Sequence, residues 1–400
     1  LKADDRSRYR WSTAHAAKVA AMALRWRGAA LRAALLPGAL SLGLGMVVIL
    51  AGLLSEGGGL SRFVHAGAWY VTPRPHLVRQ PGAGYDGQFV YRLALAPSDL
   101  GRTAHGITLD TPLRLQRIGL SALAWVLSGG GRAALVPAVL VVINLLALAA
   151  LGALGGLVCR RAGRNPAWGV LLASSAGLTF SLLHDLTEVL SVALLITAVH
   201  LIWSRRPVAA GFALAGAALT RETALLLAAG IALPRLLGMA RRPARLARED
   251  LAWALPVAAF VGWQLVVALV TGQSPLGRGG GTNLSLPFVG LVGLARSLPS
   301  AALHQWPLLL LQLAFLVYLL VAALPVLRES AAPVPLTWLL AGAFSLCYAT
   351  VVWTGYDDLR SLTELSALTM LVLLRSRRSL SGVATGSAIV WVVTLAVHLG

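Results

Sequence analysis

Apolar runs about as long as a bilayer is thick recur from one end of this 400-residue chain to the other. A helix rises 1.5 Å per residue, so about 20 apolar residues cross a hydrocarbon core roughly 30 Å thick. Segments that fit lie near 34–54, 133–158, 167–183, 186–203, 207–219, 223–239, 251–271, 305–327, 333–354, 360–374 and 380–399. That makes about eleven spans, with a range of roughly nine to thirteen because several are short and boundaries read from pattern drift by a few residues. Residues 207–219 and 223–239 flank the polar string Thr220-Arg221-Glu222 and read equally as two short spans or one broken hairpin. Hydrophobic residues make up 57% of the chain and charged residues 12%, where soluble domains carry about a quarter charged. The expected architecture is an all-α integral membrane protein whose spans pack as one embedded unit.

The net charge of +19 would suit a nucleic-acid partner, but its distribution argues for a membrane surface. With the N-terminus inside, most of the 34 basic residues fall in inner segments: Lys2 to Arg32, Arg160 to Arg164, Arg205 and Arg206, Arg235 to Arg248, Arg328, and Arg375 to Arg378. This bias follows the positive-inside rule and sets the excess charge against the anionic cytoplasmic leaflet. The first apolar run is longer than a signal-peptide core, so it reads as a retained anchor preceded by a basic cytoplasmic segment, 1–33. Cys159 and Cys347 lie in or beside apolar runs, far apart in sequence, and read as small packing residues rather than a disulfide or metal pair. Gly43, Gly45, Gly152 and Gly155 read as close helix contacts.

The acidic residues tell the complementary story. Asp4, Asp5, Glu249, Asp250 and Glu329 are expected inside; Glu56, Asp86, Asp99, Asp110, Asp185, Glu188, Glu222, Asp357, Asp358 and Glu364 are expected in outer loops or at outer span ends. Ionisable groups near a bilayer are costly and by default mark a polar, functional cavity. The exoplasmic side is therefore where chemistry is expected. Two outer loops are long, 55–132 and 272–304. In the first, Gly84 and Gly87 let the backbone turn tightly around Asp86. Residues 88–96 read as a short interfacial helix with Phe89 and Tyr91 as interfacial aromatics, and apolar 118–128 as a re-entrant or interfacial helix behind Arg114, Gln116 and Arg117.

The string Tyr85-Asp86-Gly87-Gln88-Phe89, the later Arg114-Leu115-Gln116-Arg117 and the turn Leu219-Thr220-Arg221-Glu222-Thr223 together resemble the GT-C superfamily of membrane glycosyltransferases, in a bacterial branch. The likeness covers roughly residues 34–240, with a weaker part around Tyr356 to Arg360; Val90 and Leu115 depart from the aromatic residues more usual at those places. The resemblance implies a GT-C-like fold with a catalytic module over 34–240 and a second transmembrane module over 241–400. It implies a polyprenyl-phosphate-linked sugar as donor, a cell-envelope acceptor and an inverting transfer. A carboxylate must then deprotonate the attacking hydroxyl, and Asp86 is the candidate base. The departing lipid phosphate needs fixed cations; Arg221 and Arg360 are the candidates, with Arg117 as the alternative. Asp185 and Glu188 are candidates to orient the base, bind sugar hydroxyls or hold a metal. Tyr85, Gln88, Arg114, His184, Glu222, Tyr356 and Asp358 complete the expected substrate-binding set. No cofactor is required, and a divalent metal is compatible but not indicated. The site would lie outside a bacterial plasma membrane; the Ala-, Gly-, Leu- and Arg-rich composition is compatible with a genome rich in G and C.

Each residue also has a plain structural reading. Asp86 and Asp110 suit tight turns, Asp185 or Thr187 a helix cap, Arg221 and Glu222 an ordinary pair, and Asp357, Asp358 and Arg360 a solvated loop. A transporter or lipid flippase is the alternative class, expected to place charges at the membrane midplane within repeated halves. A non-catalytic assembly protein is the third, with no need for converging carboxylates and arginines.

Overall fold

The computed structural model of the chain describes residues 5–57, 59–242, 245–278, 283–297, 306–354 and 358–399. Uninterrupted Leu, Ala and Val sequence propagates helix, and Gly, Pro and polar clusters end it. The first helix, α1 (Asp5–Glu56), leads into the long loop, which contains α2 (Gly87–Leu95) and α3 (Gly119–Leu127). The bundle continues through α4 (Val136–Arg161), α5 (Ala176–Leu183), α6 (Glu188–Trp203), α7 (Pro207–Thr220), α8 (Leu225–Arg241) and α9 (Leu251–Thr271). Two short helices, α10 (Pro275–Arg278) and α11 (Val289–Ser297), precede α12 (Trp306–Ala323) and α13 (Val334–Leu346). The chain ends through α14 (Thr350–Thr354), α15 (Thr363–Arg375) and α16 (Ser381–Leu399).

The apolar segments read from sequence are helical, but they are not eleven spans. Among the described residues, six helices are long and apolar enough to cross a membrane: Gly28–Ser55, Val136–Arg161, Glu222–Arg241, Arg248–Thr271, Trp306–Glu329 and Ser381–His398. A seventh crossing counts the pair Pro166–Ala173 and Ala176–Leu183, bent by 60° at Ser174 and Ser175. The remaining helices, α6, α7, α13 and α15, have 16, 14, 13 and 13 residues. At 1.5 Å per residue they reach about 20–24 Å, short of the hydrocarbon core. The runs 186–203 and 207–219 match α6 and α7 closely and are too short by themselves, whereas 333–354 and 360–374 include turns that lie outside α13 and α15.

Two apolar cores form. The larger fills the bundle around Val189, Val192, Leu195, Leu214, Leu371 and Leu374, with Cys159 buried inside it. The smaller belongs to the loop, where Val64, Val71, Phe89, Tyr91, Ile107, Leu115 and Leu120 pack together and onto Val136 and Leu140 of α4. Two short ribbons, Ala66–Gly67 with Arg79–Gln80 and Thr103–Ala104 with Ile107–Thr108, wrap this second core. Hence α2 is buried along its whole length, and Phe89 and Tyr91 are core residues rather than interfacial aromatics. Backbones approach closely at Gly152, against Ser41 and Pro37 of α1, and at Gly155, against Gly169; Gly43 faces open space. The chain breaks at Thr220-Arg221-Glu222 as expected: α7 ends there, Arg221 is extended, and the helix that follows, Glu222–Arg241, is long enough to cross by itself.

Candidate functional site

Four helix ends meet at one end of the bundle. Helices α6 and α15 begin there, α7 ends there, and the turn Glu222–Ala224 opens α8. Each beginning carries a glutamate in its first turn: Glu188 in α6, Glu222 before α8 and Glu364 in α15. A carboxylate is favoured at a helix N-terminus by the unsatisfied N–H groups and the helix dipole. These anions in turn hold arginines. The loop supplies the rest: Asp86 immediately before α2, and Arg114 and Arg117 from the turn Pro112–Gln116 and its end.

Asp86 sits between two guanidinium groups. Its Oδ1 lies 2.6 Å from Arg114 Nη1 and its Oδ2 accepts a hydrogen bond of 2.7 Å from Arg360 Nη2. Although it stands at the N-cap of α2, its side chain makes no capping hydrogen bond to that helix. Arg114 donates two further bonds to Asp110, of 2.9 and 2.8 Å. Arg117 binds Glu222 in the same two-pronged way, at 3.0 and 2.7 Å. Arg221 is almost fully buried; it lies 3.4 Å from both Glu188 and Glu364 and donates to the Arg360 carbonyl and the Thr363 hydroxyl. Glu188 also lies 3.4 Å from Arg360, and Thr223 donates to Glu364 at 2.8 Å. Paired and hydrogen-bonded in this manner, the buried charges offset the desolvation penalty that would be uncompensated for an isolated ion. Aromatic faces fix two of the cations: Arg360 lies over Tyr85 at 4.9 Å and Arg114 over Phe89 at 4.8 Å.

The network borders a cavity of about 570 Å³, within the range of small-molecule sites. Tyr85, Asp86, Asp110, Arg114, Arg117, Arg221, Glu222 and Arg360 all line it. So do the apolar Leu276, Leu284, Phe344, Val351 and Val352. Strand-like pairing of Asn283 and Ser285 with Ala349 and Cys347 brings that apolar group to the cavity. Burial alone would raise the Asp86 pKa, but Arg360 and Arg114 outweigh it and hold the carboxyl well below the usual carboxylate range. Asp86 is an anion throughout the physiological range.

Two glycines make this geometry possible. Gly84 has φ +68°, and a Cβ there would collide with Gly67; at Gly87 it would fall 2.3 Å from the His184 carbonyl.

Not every expected residue lines the cavity. The Gln88 amide accepts from Gly67 N–H and donates to the Ala83 carbonyl, so it braces the loop. His184 stacks between His65 and Phe180, behind the Tyr85 ring. Asp185 is fully buried with neither carboxylate oxygen hydrogen-bonded, and burial raises its pKa. Glu188 is buried behind the arginines it holds. Asp358 accepts from Gln312 and pairs with His398 at the end of α16, away from the cavity. Tyr356 and Asp357 lie outside the described residues, as do 279–282 and 298–304 of the second long loop. Of the charged residues in the network, Asp110 and Glu364 were not in the expected set, and neither were the polar lining residues Gln116, Thr223 and Tyr348. The signal for Glu364 was a charge in the first turn of an apolar segment; Asp110 was visible both as an outer-loop carboxylate and as a turn residue. Among the described residues, no group of three or more His, Cys, Asp or Glu is placed to hold a metal ion.

No protein-family model, curated protein or solved structure matches the chain.

Proposed function

We propose that the protein is a membrane glycosyltransferase of the GT-C kind. It transfers a sugar from a polyprenyl-phosphate donor to a cell-envelope acceptor on the exoplasmic face of a bacterial plasma membrane. The observation that carries this reading is the cavity's double character. A set of arginines and a carboxylate share it with an apolar group of residues, in a chain whose helices are long enough to span a bilayer. An amphiphile with an anionic head fits both parts, and a polyprenyl-phosphate sugar is such a molecule.

The chemistry follows from the positions of the groups. An acceptor hydroxyl attacks the anomeric carbon while its proton passes to a carboxylate oxygen of Asp86. The bond between that carbon and the phosphate oxygen breaks, and its electron pair leaves with the lipid phosphate. The arginines stabilise the negative charge that grows there. Asp110, Glu188, Glu222 and Glu364 keep the guanidinium groups in place.

The reading is tested with purified protein in nanodiscs, a panel of radiolabelled polyprenyl-phosphate sugars and membrane-extracted acceptors. The expected result is sugar transfer with release of polyprenyl phosphate and inversion at the anomeric carbon. Absence of transfer from every donor, with lipid or solute movement across liposomes instead, would favour the transporter class.

A further inference from the structure

We propose that Arg360 and Arg114 form the seat of the donor's phosphate, and that Asp86 occupies this seat as an internal anion until the donor arrives. The inference rests on the glycosyl-transfer reading and adds where the phosphate binds and when the base becomes active. A carboxylate that bridges two guanidinium groups through separate oxygens makes the same contacts as two non-bridging oxygens of a phosphate. Asp86 does this with Arg114 through Oδ1 and with Arg360 through Oδ2.

Both arginines are held from behind by other groups. Arg114 uses Nε and Nη2 on Asp110 and turns Nη1 to Asp86. Arg360 faces Glu188 with Nη1, stacks on Tyr85 and turns Nη2 to Asp86. If Asp86 swings aside, both cations keep these supports and still border the cavity. Among the described residues, Arg114 and Arg360 are the arginines that pair with Asp86. Arg117 is engaged through two nitrogens by Glu222, as Arg114 is by Asp110, and Arg221 is buried among Glu188, Glu364 and Thr363.

Charge counting leads to the same place. Among the described residues, four guanidinium groups, of Arg114, Arg117, Arg221 and Arg360, face five carboxylates, of Asp86, Asp110, Glu188, Glu222 and Glu364. The formal balance leaves no spare positive charge for an added anion, so a phosphate must displace a carboxylate rather than join it. Once displaced, Asp86 loses the cations that suppress its basicity and stands free to take the acceptor's proton. Donor binding then precedes, and enables, acceptor activation.

The test measures binding of farnesyl phosphate to the full chain in nanodiscs of zwitterionic lipid. Removing the competing anion in Asp86→Asn or Asp86→Ala should tighten binding about tenfold to a hundredfold, the size of a displaced charge-assisted contact. Glu222→Gln removes the same formal charge from the cavity but frees Arg117 instead, and should tighten binding less. Equal gains in Asp86→Asn and Glu222→Gln would reduce the effect to overall charge and overturn the seat. Farnesyl phosphate that binds wild type but gains nothing in Asp86→Asn would overturn it while leaving the transferase reading intact. Absence of binding in wild type and variants would remove the phosphate site and the transferase reading together. Should the Asp86 variants not fold, wild-type kinetics decide. A deoxygenated acceptor analogue should inhibit uncompetitively against donor, whereas competitive or noncompetitive inhibition would contradict donor-first binding.

Discussion

Both ends of the helix bundle carry arginines, yet they hold them in different ways. At the cavity end, Arg114, Arg117, Arg221 and Arg360 are each paired with carboxylates, several of them at helix N-termini. Some 24 Å along α6 at 1.5 Å per residue, the opposite end gathers Arg161, Arg164 and Arg375 around helix C-termini. Arg164 donates to the carbonyls of Ser376 and Arg378, Arg161 donates to the Ser204 hydroxyl, and Arg375 lies over the Trp203 ring. A cation beside exposed helix carbonyls is stabilised by the dipole and by water and needs no carboxylate. A cation beside a buried cavity does need one. The same residue type therefore satisfies helix C-termini at one end and sits in a carboxylate network beside a cavity at the other.

Substitutions at the two ends should separate these duties. Asp86→Asn should lower transfer by about 10²–10⁴, the range for loss of a positioned base. Arg360→Ala should lower it by about 10²–10³, comparable with loss of one donor to a developing anion. Arg164→Ala should leave the rate per folded molecule unchanged and cost about 1 kcal/mol of stability, read as a lower thermal midpoint in detergent. A rate loss in Arg164→Ala as large as that in Arg360→Ala would erase the distinction between the ends.

A smaller effect sharpens it. Asp86 has a depressed pKa, so its basic form is present above that value and is lost only as pH falls through it. The acid limb of kcat/KM, which reports the free enzyme, should lie below the usual carboxylate range. The acid limb of kcat should sit higher, because bound phosphate draws Arg360 and Arg114 away from Asp86. Coincident limbs in the two profiles would contradict that exchange.

Much of this contrast was legible in the sequence. Asp86, Arg114, Arg117, Arg221, Glu222 and Arg360 stood out as outer-side charges in strings that resemble GT-C motifs or lie near them, and the fold brings all six to one cavity. The loss of most carboxylates from the segments rich in arginine was equally visible. Pairing was not, because Arg117 and Glu222 are 105 residues apart and Arg360 and Asp86 are 274 apart. Gln88 was misplaced since a polar residue in a motif does not announce whether it faces a cavity or braces its own loop. Phe89 and Tyr91 looked interfacial because nothing local foretells that two small ribbons will wrap them into a second core. The span count failed for a related reason: an apolar residue signals burial, and helices of 13–16 residues such as α6, α7, α13 and α15 are apolar without being long enough to cross.

The most direct measurement is an electron cryo-microscopy structure of the protein in nanodiscs with a phosphonate analogue of a polyprenyl-phosphate sugar. The account predicts the phosphonate between Arg360 and Arg114, the sugar turned toward a displaced Asp86, and the isoprenoid chain along Leu276, Leu284, Phe344 and Val351. A head group seated instead among Arg161, Arg164 and Arg378, with the cavity empty and Asp86 still bridging its two arginines, would contradict it.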